Sequence, residues 1–457
     1  MVEGLSNLLP ADRFKSSLED LQFYGRDWTR LVEPKPSLIV FPQSTAEVQT
    51  IVRWARKSRV GLVPSGGRTG LSGGAVAPKG EVVVSLERMN KILEFNAIDQ
   101  IMRCQAGCVT QVAQEEIRSH GYYFPVDFAS RGSSQIGGNI STNAGGIKVI
   151  RYGHFRDWVA GLTVVTGSGE VLDLSQNLIK NNAGYELKHL FIAAEGTLGL
   201  VTEASLRFTT PPPSLAVLLL QAKDLSAALE VVMSFRQRVT LTAFEFFTDQ
   251  ALRYVCQAKN IQPPFADASP FYFLVEFEND HEQKFEAALS VFDELREKAI
   301  VTDGSISQSE AQSQEMWEYR ESISESLARF KPYKNDIAVS VSRIPSFVKE
   351  AEELLGSEFP DLETVWFGHI GDGNLHINVL KPDSKSMEAF SEDCDRVSLK
   401  LFGLIQKYRG SISAEHGIGL LKKPYLHFSR TQQEIDLMRK IKPIFDPDGI
   451  MNPGKVF

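Results

Sequence analysis

Apolar and polar positions along the chain fall into two textures. In the first, short apolar runs alternate with glycine-dense loops. Ser37-Leu-Ile-Val-Phe41 is a continuous apolar run and predicts a strand. Ser44-Thr-Ala-Glu47 sets a Ser before a helical pattern with Glu three positions on, and predicts a capped helix running to about Lys57. Val60–Val63 and Glu81–Leu86 predict the next strands, with further short ones around 100–106 and 160–174. Residues 1–33 read as helical and charged. Pro211-Pro-Pro213 marks a boundary, and the texture changes there. Ser214–Gln221 predicts a strand, Ser226–Arg238 a helix, Phe271–Phe277 a strand and Glu282–Lys298 a helix. That order predicts an α+β domain with helices on one face of an antiparallel sheet. Glu315–Arg329 predicts a connecting helix, residues 430–445 another, and Asp446–Lys455 a turn-rich tail.

Composition narrows the class. At roughly 100–200 residues per domain, 457 residues predict two or three domains. With 43% hydrophobic and 23% charged residues, the chain is globular, neither disordered nor fibrous. A net charge of −8 argues against nucleic acid as the main partner, because phosphate binding needs a basic footprint. The four Cys form no CxxC, and Cys104 and Cys108 read as reduced structural thiols. The first residues lack the basic start and apolar core of a signal peptide, and no apolar run approaches the ~18–20 residues of a spanning helix. A soluble, cytoplasmic protein is expected, with peripheral membrane contact left open.

The glycines cluster. Pro64-Ser-Gly-Gly-Arg-Thr-Gly-Leu-Ser-Gly-Gly74 follows a predicted strand, so several backbone N–H groups can turn toward one anion without Cβ interference. Arg68 adds charge, and Ser65, Thr69 and Ser72 add hydroxyl donors. The loop reads as a pyrophosphate cradle or as a merely tight surface turn. It lacks the Gly-Lys-Ser/Thr ending of a Walker loop, and the chain has no complete G-x-G-x-x-G. Gly70-Leu-Ser-Gly-Gly74 matches the G-x-S-x-G of a Ser hydrolase elbow, but no strand directly precedes its Ser and no helix directly follows. A second block, Gly132–Gly146, is dense in Gly, Ser and Asn, and a third reads Ala193-Ala-Glu-Gly-Thr-Leu-Gly199. Separate blocks of this kind imply extended backbone contact with one long polar ligand, and a dinucleotide such as FAD suits that.

Histidine placement suggests a metal. In Gly368-His-Ile-Gly-Asp-Gly-Asn-Leu-His-Ile-Asn378, Asp372-Gly373 is a two-residue hairpin signal. Centring the turn there predicts Gly371 opposite Asn374, Ile370 opposite Leu375 and His369 opposite His376, with Asn378 on the same face. Downstream, Ser413-Ala-Glu-His-Gly417 offers Glu415 and His416. Two His and one Glu with open positions form a catalytic zinc arrangement. Mn, Fe or Co suit the same ligands.

Together, PSGGRTGLSGG, SSQIGGNISTNAGG, AAEGTLG, GHIGDGNLHINV, SAEHGIG and NPGK resemble, in content and order, the flavin-dependent D-2-hydroxy-acid dehydrogenases of the vanillyl-alcohol-oxidase superfamily. The resemblance runs from about residue 20 to the end. It implies a two-lobed FAD domain over 1–213, an α+β substrate- and metal-binding cap with an antiparallel sheet over 214–420, and a segment 421–457 returning to the FAD domain. It assigns FAD contacts to Pro64, Ser65, Gly66, Gly67, Arg68, Thr69, Gly70 and Ser72. A second set is Gly137, Gly138, Asn139, Ser141, Thr142, Asn143 and Gly146, and a third is Glu195 and Gly196. Some members attach FAD through a His in the first loop; position 68 is Arg and that loop has no His, so non-covalent FAD is expected. His369, His376 and Glu415 match the metal ligands, Zn foremost, and His416 matches the general base. Asn378, Arg320, Ser324 and Lys334 match substrate-binding positions. Arg320 and Ser324 would lie four apart on one face of the 315–329 helix, and Lys334 would meet a distal carboxylate.

The implied reaction oxidises a 2-hydroxy dicarboxylate to its 2-keto acid. The electrons go to a non-nicotinamide acceptor, an electron-transferring flavoprotein or a quinone-linked chain. The resemblance also leaves room for a homodimer. Another D-2-hydroxy acid such as D-lactate, a metal-dependent hydrolase and a non-catalytic binding subunit are the competing readings.

Overall fold

The structure is a computed structural model that describes residues 3–457. It divides into two compact units. One comprises the chain up to Gly146, Gly153–Pro211 and Glu415–Phe457; the other comprises Ile147–Tyr152 and Pro212–Ala414. The chain thus leaves the first unit at the triple proline and re-enters it at Glu415, ahead of the expected return at 421.

The first unit holds two sheets. Strands β1 (Phe14–Lys15), β2 (Leu38–Val40), β3 (Leu62–Ser65) and β4 (Val82–Ser85) form a sheet in the order β1-β2-β4-β3, with β2 and β3 both parallel to β4. The crossover helix Thr45–Ser58 starts where expected, and the Ser44 hydroxyl accepts the Glu47 N–H at 3.2 Å. The reciprocal bond does not form. The Glu47 carboxylate instead accepts the Gln43 N–H and meets Arg13 at 3.1 Å. Residues 14–15 belong to a strand, which breaks the helical run expected before residue 33. The second sheet is antiparallel, in the order β5-β6-β9-β7-β8, from β5 (Ile92–Asn96), β6 (Ile101–Gln105), β7 (Val159–Thr166), β8 (Val171–Asp173) and β9 (Gly199–Arg207). Strands β6, β7 and β9 are nearly buried throughout and pack into the unit's main core with Ile51, Ile136 and Phe155. The tail joins β3: the Leu62 N–H donates to the Ile450 carbonyl and the Asn452 N–H to that of Leu62, both at 2.8 Å.

The second unit is built on one antiparallel sheet of seven strands. They are β10 (Leu215–Ala222), β11 (Leu241–Thr248), β12 (Phe271–Glu278), β13 (Asp303–Ile306), β14 (Tyr333–Ala338), β15 (Glu363–His369) and β16 (Asn374–Leu380), in the order β13-β10-β12-β11-β15-β16-β14. Both faces are covered, not one. The helix Glu310–Glu321 lies on the Glu276 face, where the Trp317 indole donates to Glu276 at 3.0 Å. On the opposite face Phe292, of the helix Glu282–Glu297, packs beside Leu220 and Gly304, and Ser398, of the helix Met387–Lys407, meets the Tyr333 hydroxyl at 2.7 Å. The central strands are apolar on both faces, as Phe271-Tyr-Phe-Leu-Val shows, and such strands need cover on both sides.

Candidate active site

In the first unit all three glycine blocks converge on one cleft of about 850 Å³, counting its open mouth. Pro64–Gly70, Ser72, Gly137, Gly138, Ser141, Thr142, Glu195 and Gly196 line it. Close packing explains the glycines. A Cβ on Gly67 would strike the Ser133 carbonyl, one on Gly137 would sit 2.7 Å from the Ala106 methyl, and one on Gly196 2.8 Å from the Pro64 ring. Around Gly138 nothing lies within 4 Å, so that face of the backbone is open to the cleft. Three neutral groups on the wall, Ser65 Oγ, Gln135 Oε1 and Asn452 Oδ1, are buried and have no hydrogen-bond partner among the described residues. Buried polar atoms are normally paired, so this wall is completed by a polar ligand, and FAD fits it.

Three expected contact positions, Asn139, Asn143 and Gly146, are not among the residues lining the cleft and have partners within the protein. Asn139 is turned into the core, donating to Thr110 Oγ1 at 2.6 Å. Asn143 caps the helix Ile136–Thr142 in the left-handed region, and its side-chain oxygen accepts the Arg156 N–H. Gly146 donates its N–H to Glu415 Oε1 at 2.6 Å. Arg68 lies against the rings of Phe23 and Tyr24, 4.7 and 4.6 Å from their centroids, and burial draws its pKa down. Sequence reasoning missed Gln135, Leu200, Val201 and Asn452. Asn452 stands in the NPGK motif, which was the available signal; its amide donates to the Glu195 carbonyl at 2.6 Å and the Gly74 carbonyl at 2.9 Å.

The Glu415-His416 loop is fastened to the same cleft walls. The N–H groups of Leu420 and Leu421 donate to the Ser72 carbonyl, and Gly146 donates to Glu415. The buried Glu195 carboxylate accepts the Ile418 N–H at 2.6 Å and the Gly419 N–H at 2.8 Å. Burial raises the Glu195 pKa, and those two N–H bonds counter it only in part.

In the second unit the hairpin β15–β16 carries both His, with a register that differs from expectation. Phe367 faces His376, Gly368 faces Leu375 and His369 faces Asn374. The turn takes four residues: the Asp372 N–H closes on the His369 carbonyl at 3.2 Å, and Gly373 sits at φ 95°. The Asp372 side chain accepts the Asn374 N–H, which consumes the Asp of the expected two-residue turn. The two His are therefore diagonal neighbours on one face, with ring centroids 5.2 Å apart. On the flanking strand, Asp336 registers with His376 and Lys334 with Asn378. The carboxylate of Asp336 lies 3.7 Å from His376 Nδ1.

Arg320 reaches this face from its helix, and its guanidinium lies 4.9 Å from the Phe367 ring centroid. It pairs with the buried Glu245 at 2.8 Å, while its Nε–H is buried with no partner among the described residues. Glu245 also contacts His369 Nδ1 at 2.8 Å. Burial pushes the Glu245 pKa up, but His369 and Arg320 outweigh it and hold the carboxyl below its usual value. Lys334 has an exposed side chain, yet enough protein surrounds its ammonium for desolvation to lower its pKa. Ser324 does not share a face with Arg320. The helix is interrupted at Ser322, and Ser324 stands exposed on a separate short helix, Ile323–Leu327. Ser322, Ser324 and the β-branched Ile323 together weaken helical continuity there.

Residues 36–175 match the family described as FAD binding domain, and residues 211–456 match FAD linked oxidases, C-terminal domain. A D-2-hydroxyglutarate dehydrogenase of Stutzerimonas stutzeri is 52% identical over all of this chain and 98% of its own length. One from Xanthomonas citri pv. viticola is 53% identical over 99% of this chain and 96% of its own. This chain belongs to the FAD-linked oxidases, within the D-2-hydroxyglutarate dehydrogenase family. The mitochondrial D-2-hydroxyglutarate dehydrogenase of Bos taurus is 35% identical over 99% of this chain and 82% of its own. Among solved structures, 4-ethylphenol oxidase from Gulosibacter chungangensis superposes with a TM-score of 0.78 at 17% identity, covering 100% of this chain and 96% of its own. p-Cresol methylhydroxylase does so at 0.78 and 16%, with the same coverage. At that identity the likeness is one of fold. The chain is therefore an FAD-dependent oxidoreductase with the vanillyl-alcohol-oxidase fold that its motifs imply. Among the described residues no helix is long and apolar enough to cross a membrane.

Proposed function

We propose that this protein oxidises D-2-hydroxyglutarate to 2-oxoglutarate and passes the electrons to an acceptor other than a nicotinamide. The observation that carries the reading is one sheet face in the second unit. It gathers two imidazoles, the buried Arg320 with its unpartnered Nε–H, and Lys334 on the flanking strand. A 2-hydroxy dicarboxylate presents the complementary groups: a carboxylate beside a hydroxyl, and a second carboxylate further along. The relatives' names supply the identity and hand of the substrate.

FAD, held without a covalent bond because the first glycine loop has no His, would supply the hydride acceptor. A divalent cation, Zn foremost, held by His369 and His376 with Glu415 as the third ligand implied by the resemblance, would supply Lewis acidity toward the hydroxyl. Arg320 binds the nearer carboxylate through charge-assisted hydrogen bonds. Lys334 meets the distal carboxylate, and Asn378 orients the substrate. His416 accepts the hydroxyl proton as C2 gives up its hydride. Ser324, exposed and on its own helix, has no part in this reading. Reoxidation by an electron-transferring flavoprotein or a quinone-linked carrier completes the cycle.

A panel of D- and L-2-hydroxy acids with a dye acceptor, with and without chelator, tests the proposal. D-2-Hydroxyglutarate should give the highest kcat/KM, and chelation should remove turnover until metal is restored. A higher kcat/KM for D-lactate would reassign the substrate, and full turnover in chelator would remove the metal.

A further inference from the structure

Glu245 is a charged residue in an aromatic strand, Phe244-Glu-Phe-Phe247, at the middle of the seven-stranded sheet, and it is 1% exposed. Strand β11 pairs with β15 so that Phe247 faces Phe367 and Phe246 faces Gly368; next along the strand, Glu245 reaches His369 through its side chain. Its neighbours on the same face, Phe247, Leu274 and Phe367, belong to an apolar core. An ionised carboxylate is held there only by strong partners. It has two, one on each oxygen: Oε1 lies 2.8 Å from His369 Nδ1, and Oε2 lies 2.8 Å from Arg320 Nη2.

We infer that Glu245 is a positioning residue that sets both the metal-binding imidazole and the substrate-binding guanidinium. This rests on the function proposed above and assigns a role to a residue that takes no part in the chemistry itself. A carboxylate at Nδ1 keeps the proton on that nitrogen and makes Nε2 the lone-pair nitrogen, the tautomer a metal requires. On the other side, the Arg320 contact is an ion pair whose N–H points off the oxygen, and the same group keeps its Nε–H without a partner. Glu245 therefore anchors one end of the guanidinium over Phe367 while the Nε edge keeps a donor for a carboxylate. A purely structural counter-ion for Arg320 has no need of His369; the second oxygen, spent on an imidazole, is what marks positioning.

The test is Zn²⁺ affinity by competition with a chromogenic chelator, using FAD-loaded protein. Glu245→Gln should bind Zn²⁺ about 10–100-fold more weakly. It should also raise KM for D-2-hydroxyglutarate and shrink the Tm gain on adding Zn²⁺, with the flavin spectrum unchanged. A merely structural role would lower Tm equally with and without Zn²⁺, and unchanged Zn²⁺ affinity overturns the inference while leaving the proposed function standing. Wild-type protein that takes up no Zn²⁺ overturns the inference and removes Zn from the proposed function, whose substrate panel is read separately. Should the single variant fail to fold, Glu245→Gln/Arg320→Gln leaves no orphaned charge, and wild-type Zn²⁺ affinity in that pair overturns the inference equally.

Discussion

Two buried glutamates mark the contrast between the halves of this protein. Glu195, in the first unit, is held by backbone N–H groups of residues 418 and 419, and burial leaves its pKa raised. Glu245, in the second, is more buried still, yet His369 and Arg320 outweigh the burial and its pKa falls. The same division runs through the surroundings. The cleft is shaped by backbone and lined, Arg68 and Glu195 apart, with neutral groups, whereas the sheet face is made of charged and titratable side chains. A site built from backbone needs particular residues, mostly glycine, where the chain must come close. A site built from side chains needs partners brought in from distant strands.

The largest effects should separate the two. Gly67→Ala drives a methyl into the Ser133 carbonyl, a contact no side-chain rotation relieves. The purified variant should be colourless, with the flavin absorbance lost. His376→Ala touches only the sheet face. It should keep the flavin spectrum and lose dye-linked turnover by about 10³-fold, the several kcal/mol that a polarising cation supplies. A bleached His376→Ala or a yellow, active Gly67→Ala would erase the distinction.

The contrast also explains what could be read from sequence. The glycine blocks were legible because backbone approach writes itself locally, in the residues that make it. Fourteen of the expected cofactor positions do line the cleft, while Asn139, Asn143 and Gly146 look the same in sequence and serve the protein's own backbone and core. Strand β9 was hidden because its first residue closes a glycine motif. The hairpin's existence was legible and its register was not, since Asp372-Gly373 suits a two-residue turn until the Asp side chain is taken by Asn374. Glu245 left no local signal; its partners His369 and Arg320 lie far along the chain and meet it only through sheet pairing and a helix packed on that face.

Intermediate effects sharpen the picture of the first unit. Lys455 is 2% exposed, its Nζ has no hydrogen-bond partner among the described residues, and burial lowers its pKa to about 8. Below pH 8 the folded protein carries a buried ammonium; between about 8 and the ordinary 10.5 it sheds that proton before the unfolded chain does, so stability rises with pH across this window. Lys455→Met should therefore stabilise the FAD-free protein at pH 7 by up to about 3 kcal/mol. The gain should vanish above pH 10.5 in chemical denaturation. Gly138→Ala should stabilise the FAD-free protein by about 0.5–1 kcal/mol through helix propensity, yet weaken FAD binding, because its methyl would enter the cleft.

The smallest effect is the most discriminating for the glutamates. Glu195 has a raised pKa in the folded state, so its stabilising contribution is complete below the unfolded value and is lost as pH rises through the folded one. Glu195→Gln resembles the protonated form: similar in shape, uncharged, and still able to accept one N–H. Thermal melts from pH 4 to pH 8 should show the variant gaining on the wild type as pH rises. The opposite trend would mean that the two N–H bonds outweigh burial and that the His416 loop is gripped by charge after all. Glu195 would then resemble Glu245, and the division between a backbone-built cleft and a charge-built face would fail.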